Sequence, residues 1–163
     1  MSCGLRYGQE MQMSGNNKNA QNELLGRVFS AAKRIYRQLG PGHTEAVYHA
    51  AMIHELRRLR VRVRDRPALK VMYQGLTVGK YFPDCIVSIP GAAVIVDFKA
   101  AGDDEKPFAQ ADFDQMRRYL GAYNRRALGL LLNFGGKHPV WRRVERYGKI
   151  QVDVVEINPE VET

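Results

Sequence analysis

The sequence is poor in cysteine and has no long apolar run, and each scarcity excludes a class of protein. Its two cysteines, Cys3 and Cys85, lie in a polar N-terminal segment and in a predicted buried strand, so we expect no disulfide between them. No Cys/His cluster has zinc-ligand spacing. No stretch approaches the roughly 18 apolar residues of a membrane span, and the first residues lack the apolar core of a secretion signal. We therefore expect an intracellular protein of the cytoplasm or nucleus, without membrane attachment.

Acidic residues are also few relative to basic ones. The chain has 17 Asp and Glu against 25 Lys and Arg, a formal net charge of +8. A surface this basic attracts polyanions, above all nucleic acid. The length of 163 residues and the apolar share of 45% fit one domain with a real core. We expect a flexible tail over 1–21, one domain over 22–158 and a short C-terminal tail over 159–163.

Apolar periodicity divides the chain into helices and strands. It predicts a helix from Glu23, capped by Asn22 and ended by the Gly-Pro-Gly turn at 40–42, then a second from the N-cap Thr44 to about Leu59. A third helix begins around Asp112. Predicted strands cover 69–73 and 77–82 (a hairpin), 84–89, 92–98, 127–134, 141–147 and 150–157. The order α-α-β-β-β-β-α-β-β-β predicts a mixed α/β fold around one sheet.

The pattern that carries chemistry is Pro83-Asp84 followed by Asp97-Phe98-Lys99. Residues two apart on a strand point to the same face, so Asp97 and Lys99 share a side and Phe98 points into the opposite layer. A hairpin turn at 90–91 can bring Asp84 beside Asp97.

Two interpretations of this pattern remain open on these residues alone. Taken alone, it favours a simple Asp97–Lys99 ion pair at the sheet rim, because charges at the end of an apolar strand need partners. In the other interpretation, Asp84 and Asp97 offer hard oxygen ligands to Mg2+ or Mn2+, and the carbonyl of Phe98 is a further ligand. The metal would polarise a phosphodiester and activate a water, while Lys99 would stabilise developing negative charge.

Residues on two predicted helices can add to a site formed by Asp84, Asp97 and Lys99. Gln115 and Tyr119 lie four apart on one helix face, where a glutamine can orient water and a tyrosine can hydrogen-bond. Glu45 opens the second helix and can add a carboxylate on the metal side. Each residue also has an ordinary explanation: Gln115 as a solvated helix residue, Tyr119 as a core aromatic, and Glu45 as an acid favoured by the helix dipole.

Basic residues that can contact phosphate form two groups. The first is the run Arg57, Arg58, Arg60, Arg62, Arg64 and Arg66, and the second follows Gln115 and includes Arg117 and Arg118. Such residues can track a nucleic-acid backbone, and a solvated face is the alternative. The four histidines show no mutual ligand spacing.

The segment Gly-His-Thr-Glu-Ala-Val-Tyr at 42–48 matches the pattern that names the GxxExxY family, and Gly-Leu-Leu-Leu-Asn-Phe-Gly at 129–135 resembles a late strand of that family. The resemblance runs from about 23 to about 143. The family looks like a branch of the PD-(D/E)XK nuclease superfamily, which implies a restriction-endonuclease-like mixed sheet flanked by helices. The helix pair is similar to the Q-x-x-x-Y motif of RecB-like nucleases.

The resemblance also implies roles for individual residues. The implied active-site core is Glu45, Asp84, Asp97 and Lys99, with Gln115 and Tyr119 in support, and the implied metal ligands are Asp84, Asp97, the Phe98 carbonyl and Glu45. Relatives more often carry Glu where this sequence has Asp97, whose side chain is shorter by about one bond length.

Three functional hypotheses follow. The first is a magnesium-dependent nuclease that acts on nucleic acid, DNA before RNA, by metal-activated water attack. The second is a non-catalytic nucleic-acid-binding or assembly module on a nuclease-like fold. The third is a structural subunit of a larger complex.

Overall fold

A six-stranded mixed sheet with two helices on one face and one on the other organises the chain. The computed structural model describes residues 4–102, 104–147 and 151–155, with side chains described over 15–102 and 104–145. The helices are α1 (Gly4–Leu39), α2 (Glu45–Arg58) and α3 (Gln110–Ala122). The strands are β1 (Arg62–Asp65), β2 (Leu69–Tyr73), β3 (Leu76–Tyr81), β4 (Cys85–Ile89), β5 (Ala92–Lys99), β6 (Leu128–Asn133), β7 (Val140–Tyr147) and β8 (Gln151–Val155).

The strand order of the main sheet is β1-β4-β5-β6-β7-β8. Strands β5 and β6 are parallel, and the other neighbouring pairs are antiparallel. A parallel pair needs a crossover connection, and α3 supplies it. Strands β2 and β3 form a separate two-stranded sheet. The mixed α/β fold expected from the sequence is confirmed, but the expectation of a single sheet is wrong, because β2 and β3 pair only with each other.

The sheet separates two apolar layers. On one face, α1 and α2 pack against alternate side chains of the central strands, including Val94, Val96 and Phe98. On the other face, Met116, Tyr119 and Leu120 of α3 pack against the remaining side chains of the same strands. Strands β5 and β6 are therefore buried on both faces, which explains why their sequences are almost continuously apolar.

The first helix starts much earlier than the sequence pattern predicted. It begins at Gly4 rather than near Glu23, so Asn22 lies inside it and caps nothing. The chain from 4 to 39 contains no proline, so nothing stops the helix from extending past its apolar face. It ends at Leu39 as predicted, where Gly40 takes φ 71°. The predicted tail over 159–163 lies outside the described residues.

The strands follow the prediction, with one addition. The arginine-rich run forms β1, a strand that the predicted order omits. Alternating arginines can occupy this position because β1 is an edge strand with only one neighbour. The hairpin of β2 and β3 is confirmed. Among the described residues, no helix combines the length and apolar character needed to cross a bilayer.

Candidate active site

The carboxyl end of β5 brings the predicted acid and lysine together. Asp97 and Lys99 lie on the face of the sheet that packs against α3, and the Lys99 Nζ lies 2.9 Å from Asp97 Oδ2. The Phe98 ring is fully buried in the opposite layer. This is the arrangement that strand alternation predicts.

Asp84 stands at the entrance to β4, beside this end of β5. Cys85 pairs with Val96, so Asp84 lies next to Asp97 across the hairpin turn. The Asp84 Oδ2 accepts a hydrogen bond from the Phe98 N–H at 2.6 Å. The N–H and C=O of one strand residue point to the same side, so the Phe98 carbonyl also faces the Asp84 side.

His49, which the sequence pattern did not single out, contacts Asp84 from α2. Its ring is 6% exposed and packs edge-on against Phe98, with ring centroids 5.4 Å apart. Its Nδ1 lies 3.5 Å from Asp84 Oδ1, and its Nε2 lies 2.7 Å from Asp65 Oδ1. A buried histidine thus links a carboxylate of the site to Asp65, at the end of β1. The spacing between histidines in the sequence could not predict these contacts, because the partners of His49 are aspartates on other elements.

Asp97 is almost entirely removed from water. The residue is 5% exposed, and within the described residues no hydrogen bond of good geometry reaches its Oδ2, although the Lys99 ammonium is close. Burial and then Asp84 raise the pKa of Asp97, Lys99 partly opposes both, and the resulting pKa is about 6. A buried carboxylate beside a second one favours additional positive charge at this position, because one lysine does not balance two carboxylates.

Lys99 is held between two carboxylates. Besides Asp97, its Nζ contacts Asp112 Oδ1 at 3.3 Å. Burial lowers the pKa of Lys99, but Asp97 and Asp112 outweigh it and raise that pKa above its ordinary value. The ammonium is therefore charged and fixed in direction. The sequence predicted only a helix start near Asp112 and not this contact, which depends on how α3 packs against β5.

Glu45 approaches the site from the first turn of α2. Its side chain is exposed, in contrast to Asp97. Burial, then Asp84, raises the pKa of Glu45, while Lys99 and His49 lower it. Its carboxylate therefore lies within electrostatic range of the other three predicted residues.

The predicted pair on α3 lies along the same edge of the site. Tyr119 is 5% exposed and donates a hydrogen bond from its hydroxyl to the Phe82 carbonyl at 3.4 Å. Burial, then Asp97 and Asp84, raises the pKa of Tyr119 to about 12. Gln115 is half-buried, one turn after Asp112 on the helix face that also carries Tyr119. Within the described residues, the Gln115 amide makes no hydrogen bond.

The predicted phosphate contacts do not all lie near these acids. Arg62 pairs with Ser88, and Ser88 with Ala93, so Arg62 lies at the opposite end of the sheet from Lys99, roughly 20 Å away. The residues at that end are Arg57, Arg58, Arg60 and Arg62. Arg58 is engaged by Glu55 at 2.7 Å.

The arginines of α3 are closer to the acids. Arg117 pairs with Asp114 at 2.7 Å, and Arg118 is exposed beside Tyr119.

The donor set fits a hard divalent cation. Asp84 and Asp97 offer carboxylate oxygens, the Phe98 carbonyl faces the same side, and the buried Asp97 Oδ2 has the Lys99 ammonium as its ion-pair partner. Among the described residues, no three acidic, histidine or cysteine side chains enclose a metal by themselves. Mg2+ requires no such cage, because it keeps several waters and is usually held by one or two carboxylates.

Comparison with known proteins agrees with this geometry. A family model described as the PD-(D/E)XK nuclease superfamily matches residues 22–144. No curated protein matches the chain. The family match covers about three quarters of the 163 residues and spans every residue of the predicted site. The chain belongs to the PD-(D/E)XK nuclease superfamily.

Proposed function

We propose that this chain is a metal-dependent nuclease that hydrolyses phosphodiester bonds in nucleic acid, DNA before RNA, and that it belongs to the GxxExxY branch of its superfamily. The observation that carries the proposal is the buried Asp97 carboxylate beside Asp84, with the Lys99 ammonium held against it. An ion pair that served only the sheet rim would not need a second carboxylate that raises the pKa of the first.

The metal would be held by oxygen ligands of this chain. Asp84, Asp97 and the Phe98 carbonyl are the proposed direct ligands of Mg2+ or Mn2+, and the exposed Glu45 carboxylate would contact the cation through one of its waters. When bound, the cation supplies Lewis acidity toward the phosphate and lowers the pKa of a bound water. Asp84 is oriented by the Phe98 N–H and His49, so its free lone pairs are limited in direction.

Lys99 and the α3 pair act on the phosphate and on water. Lys99 carries a fixed positive charge that stabilises the negative charge developing on the phosphate. The Gln115 amide, which makes no hydrogen bond to the part of the chain that the structure describes, can hydrogen-bond a water or a phosphate oxygen. Tyr119 stays protonated at neutral pH and keeps its donor directed at the Phe82 carbonyl.

A cleavage assay tests the proposal. The full chain is incubated with labelled single-stranded DNA, duplex DNA and RNA, in Mg2+, in Mn2+ or in EDTA. We expect cleavage only with a divalent cation, reduced at least about 100-fold by Asp84→Ala and by Lys99→Ala. Asp114→Ala, which removes a carboxylate of α3 paired with Arg117 on the surface, is the matched control and should cleave like the wild type.

A crystal soaked in Mn2+ tests the ligands independently of turnover. We expect a metal peak within about 2.0–2.6 Å of oxygens of Asp84 and Asp97. Absence of cleavage on every substrate, or cleavage that persists in Lys99→Ala, would contradict the proposed nuclease activity. Salt-sensitive binding without cleavage would instead support the non-catalytic binding module.

A further inference from the structure

The β2–β3 hairpin presents large apolar side chains to solvent. Its base is anchored by Leu69, which is 5% exposed and packs with α3. The exposed residues on or next to the hairpin are Met72, Tyr73, Leu76, Val78 and Phe82, each between 55% and 68% exposed. Exposed apolar side chains that are concentrated on one small element often mark a binding surface, whereas scattered single ones do not.

Two lysines face each other across this hairpin. Lys70 and Lys80 are directly paired in the ladder, so their side chains leave the same face, and both are exposed. Like charges in this position repel. Within the described residues, neither lysine has an acidic partner. An anion bound between them would remove the repulsion.

The hairpin also borders a groove with a third cation. The groove has a volume of about 440 Å³ and lies between the hairpin and the end of α3. Lys70, Met72 and Tyr81 line one side, and Arg118 and Asn124 line the other. Positive charge and apolar surface therefore alternate here, which fits a ligand that has both phosphates and flat rings.

Phe82 joins this surface to the candidate active site. It is 58% exposed, precedes buried Pro83 and lies two residues before Asp84. Its carbonyl is held by the Tyr119 hydroxyl at 3.4 Å, so its backbone is fixed while its ring remains in solvent. An exposed ring beside a site for phosphate is placed to stack on the base of the neighbouring nucleotide.

We propose that Phe82 and the β2–β3 hairpin bind unpaired nucleotides, so that the substrate is single-stranded at the phosphodiester next to Asp84. The proposal rests on the proposed function, because the bound strand is the one to be cut. Base faces are available for stacking only where bases are unpaired, whereas a duplex offers its backbone to charged groups alone. Lysines would suffice for a duplex, and the exposed apolar and aromatic side chains would add nothing.

A binding measurement in EDTA tests the inference without requiring cleavage. Fluorescence anisotropy compares a labelled single strand with the blunt duplex of the same sequence. We expect the single strand to bind at least about 10-fold more tightly, and Phe82→Ala to abolish most of that difference. Phe82→Trp should restore it, because stacking needs a ring and not a particular one. Circular dichroism checks that each variant is folded.

Charge variants separate the lysines from general electrostatics. Lys70→Gln and Lys80→Gln should each weaken binding and lower the salt slope by about 1. Lys33→Gln, an exposed lysine of α1, is the matched control and should leave both unchanged.

The outcomes distinguish the two proposals. If single strands bind in a Phe82-dependent way but are not cleaved in Mg2+ or Mn2+, the proposed binding surface is supported and the proposed nuclease activity is wrong. If the protein cleaves but binds duplex and single strand equally, or if Phe82→Ala does not change binding, the proposed binding surface is wrong and the proposed nuclease activity stands. Loss of a dimer in Tyr73→Ala by analytical ultracentrifugation, with nucleic-acid binding unchanged, also overturns the proposed binding surface and assigns the hairpin to a second copy of the chain.

Discussion

At the scale of single residues, Asp97 is an acid held where ionisation costs free energy. It is 5% exposed, and its pKa is raised to about 6, first by burial and then by Asp84. The folded protein therefore binds this proton more tightly than the unfolded chain, in which the pKa is about 3.9. Stability from this group is fully present below about pH 4 and is lost as the pH rises through about 6.

Asp97→Asn tests this cost in protein freed of divalent cations. We expect the variant to unfold at higher urea concentration than the wild type at pH 8, with a gain of up to about 3 kcal/mol, and to match it near pH 4. Urea denaturation at the two pH values measures this. Asp114→Asn, on the surface of α3, should show no such difference. Equal stability of Asp97→Asn and wild type at pH 8 would contradict the assigned cost.

His49 shows what sequence reasoning could not supply at this scale. The alternation of Asp97, Phe98 and Lys99 along a strand was predictable, because it follows from local geometry. The contacts of His49 with Asp65 and Asp84 join a helix to two strands, and no local pattern encodes them. His49 was therefore missed, although it lies one turn beyond the predicted Glu45.

We expect His49→Ala to weaken Mn2+ binding by 10- to 100-fold, roughly the usual effect of losing a group that orients a metal-binding carboxylate. His49→Asn keeps a donor near Nδ1, toward Asp84, and should recover part of the affinity. His49→Gln keeps one near Nε2, toward Asp65, and should recover less. Calorimetric titration with Mn2+ measures the affinities. Unchanged affinity in His49→Ala would show that Asp84 needs no such orientation.

At the scale of elements, the packing of α3 on β6 sets the height of Gln115 and Tyr119 above the sheet. Gly129 allows this approach, because a Cβ at that position would lie 2.7 Å from Met116 Cγ and 3.2 Å from Leu120 Cδ1. Periodicity predicted the start of α3 within about two residues and both bounds of β6 within about one. It could not predict their separation, which depends on side chains from two distant segments.

Gly129→Ala should destabilise the protein by about 1–3 kcal/mol, because Met116 and Leu120 are buried and must shift to admit the added methyl. Gly121→Ala is the control: a Cβ there meets nothing within 4 Å, and alanine favours the helix. Chemical denaturation of both variants gives the comparison. A stable Gly129→Ala protein would mean that α3 can move outward at little cost.

At the scale of the whole molecule, positive charge is divided between the two ends of the sheet. Composition predicted the charge and its affinity for polyanions, but not this division, since a count of arginines carries no positions. Arg62, at the far end, lines a groove of about 600 Å³ with Arg27 and Arg60. A strand bound at Lys99 must extend roughly 20 Å to reach it, which takes several nucleotides.

The effect of Arg62→Gln should therefore depend on substrate length. Dinucleotides should bind the variant and the wild type equally, whereas oligonucleotides of about 15 nucleotides should lose affinity and show a salt slope lower by about 1. Anisotropy titrations in EDTA over a length series measure this, with Lys33→Gln as the control. A loss that is equal at every length would place the far end outside the path of the strand.

The hydrogen bond from the Phe98 N–H to Asp84 has a consequence for how relatives are compared. Where β4 has not yet begun, this carboxylate takes the place of a strand neighbour and satisfies a backbone donor of β5. Selection for a folded sheet is thus enough to retain an aspartate here after chemistry is lost. The Lys99 ammonium forms ion pairs with Asp97 and Asp112, and no hydrogen bond from it to a backbone group is seen among the described residues. In a set of homologues, the lysine is therefore the better marker of enzymes that still cut.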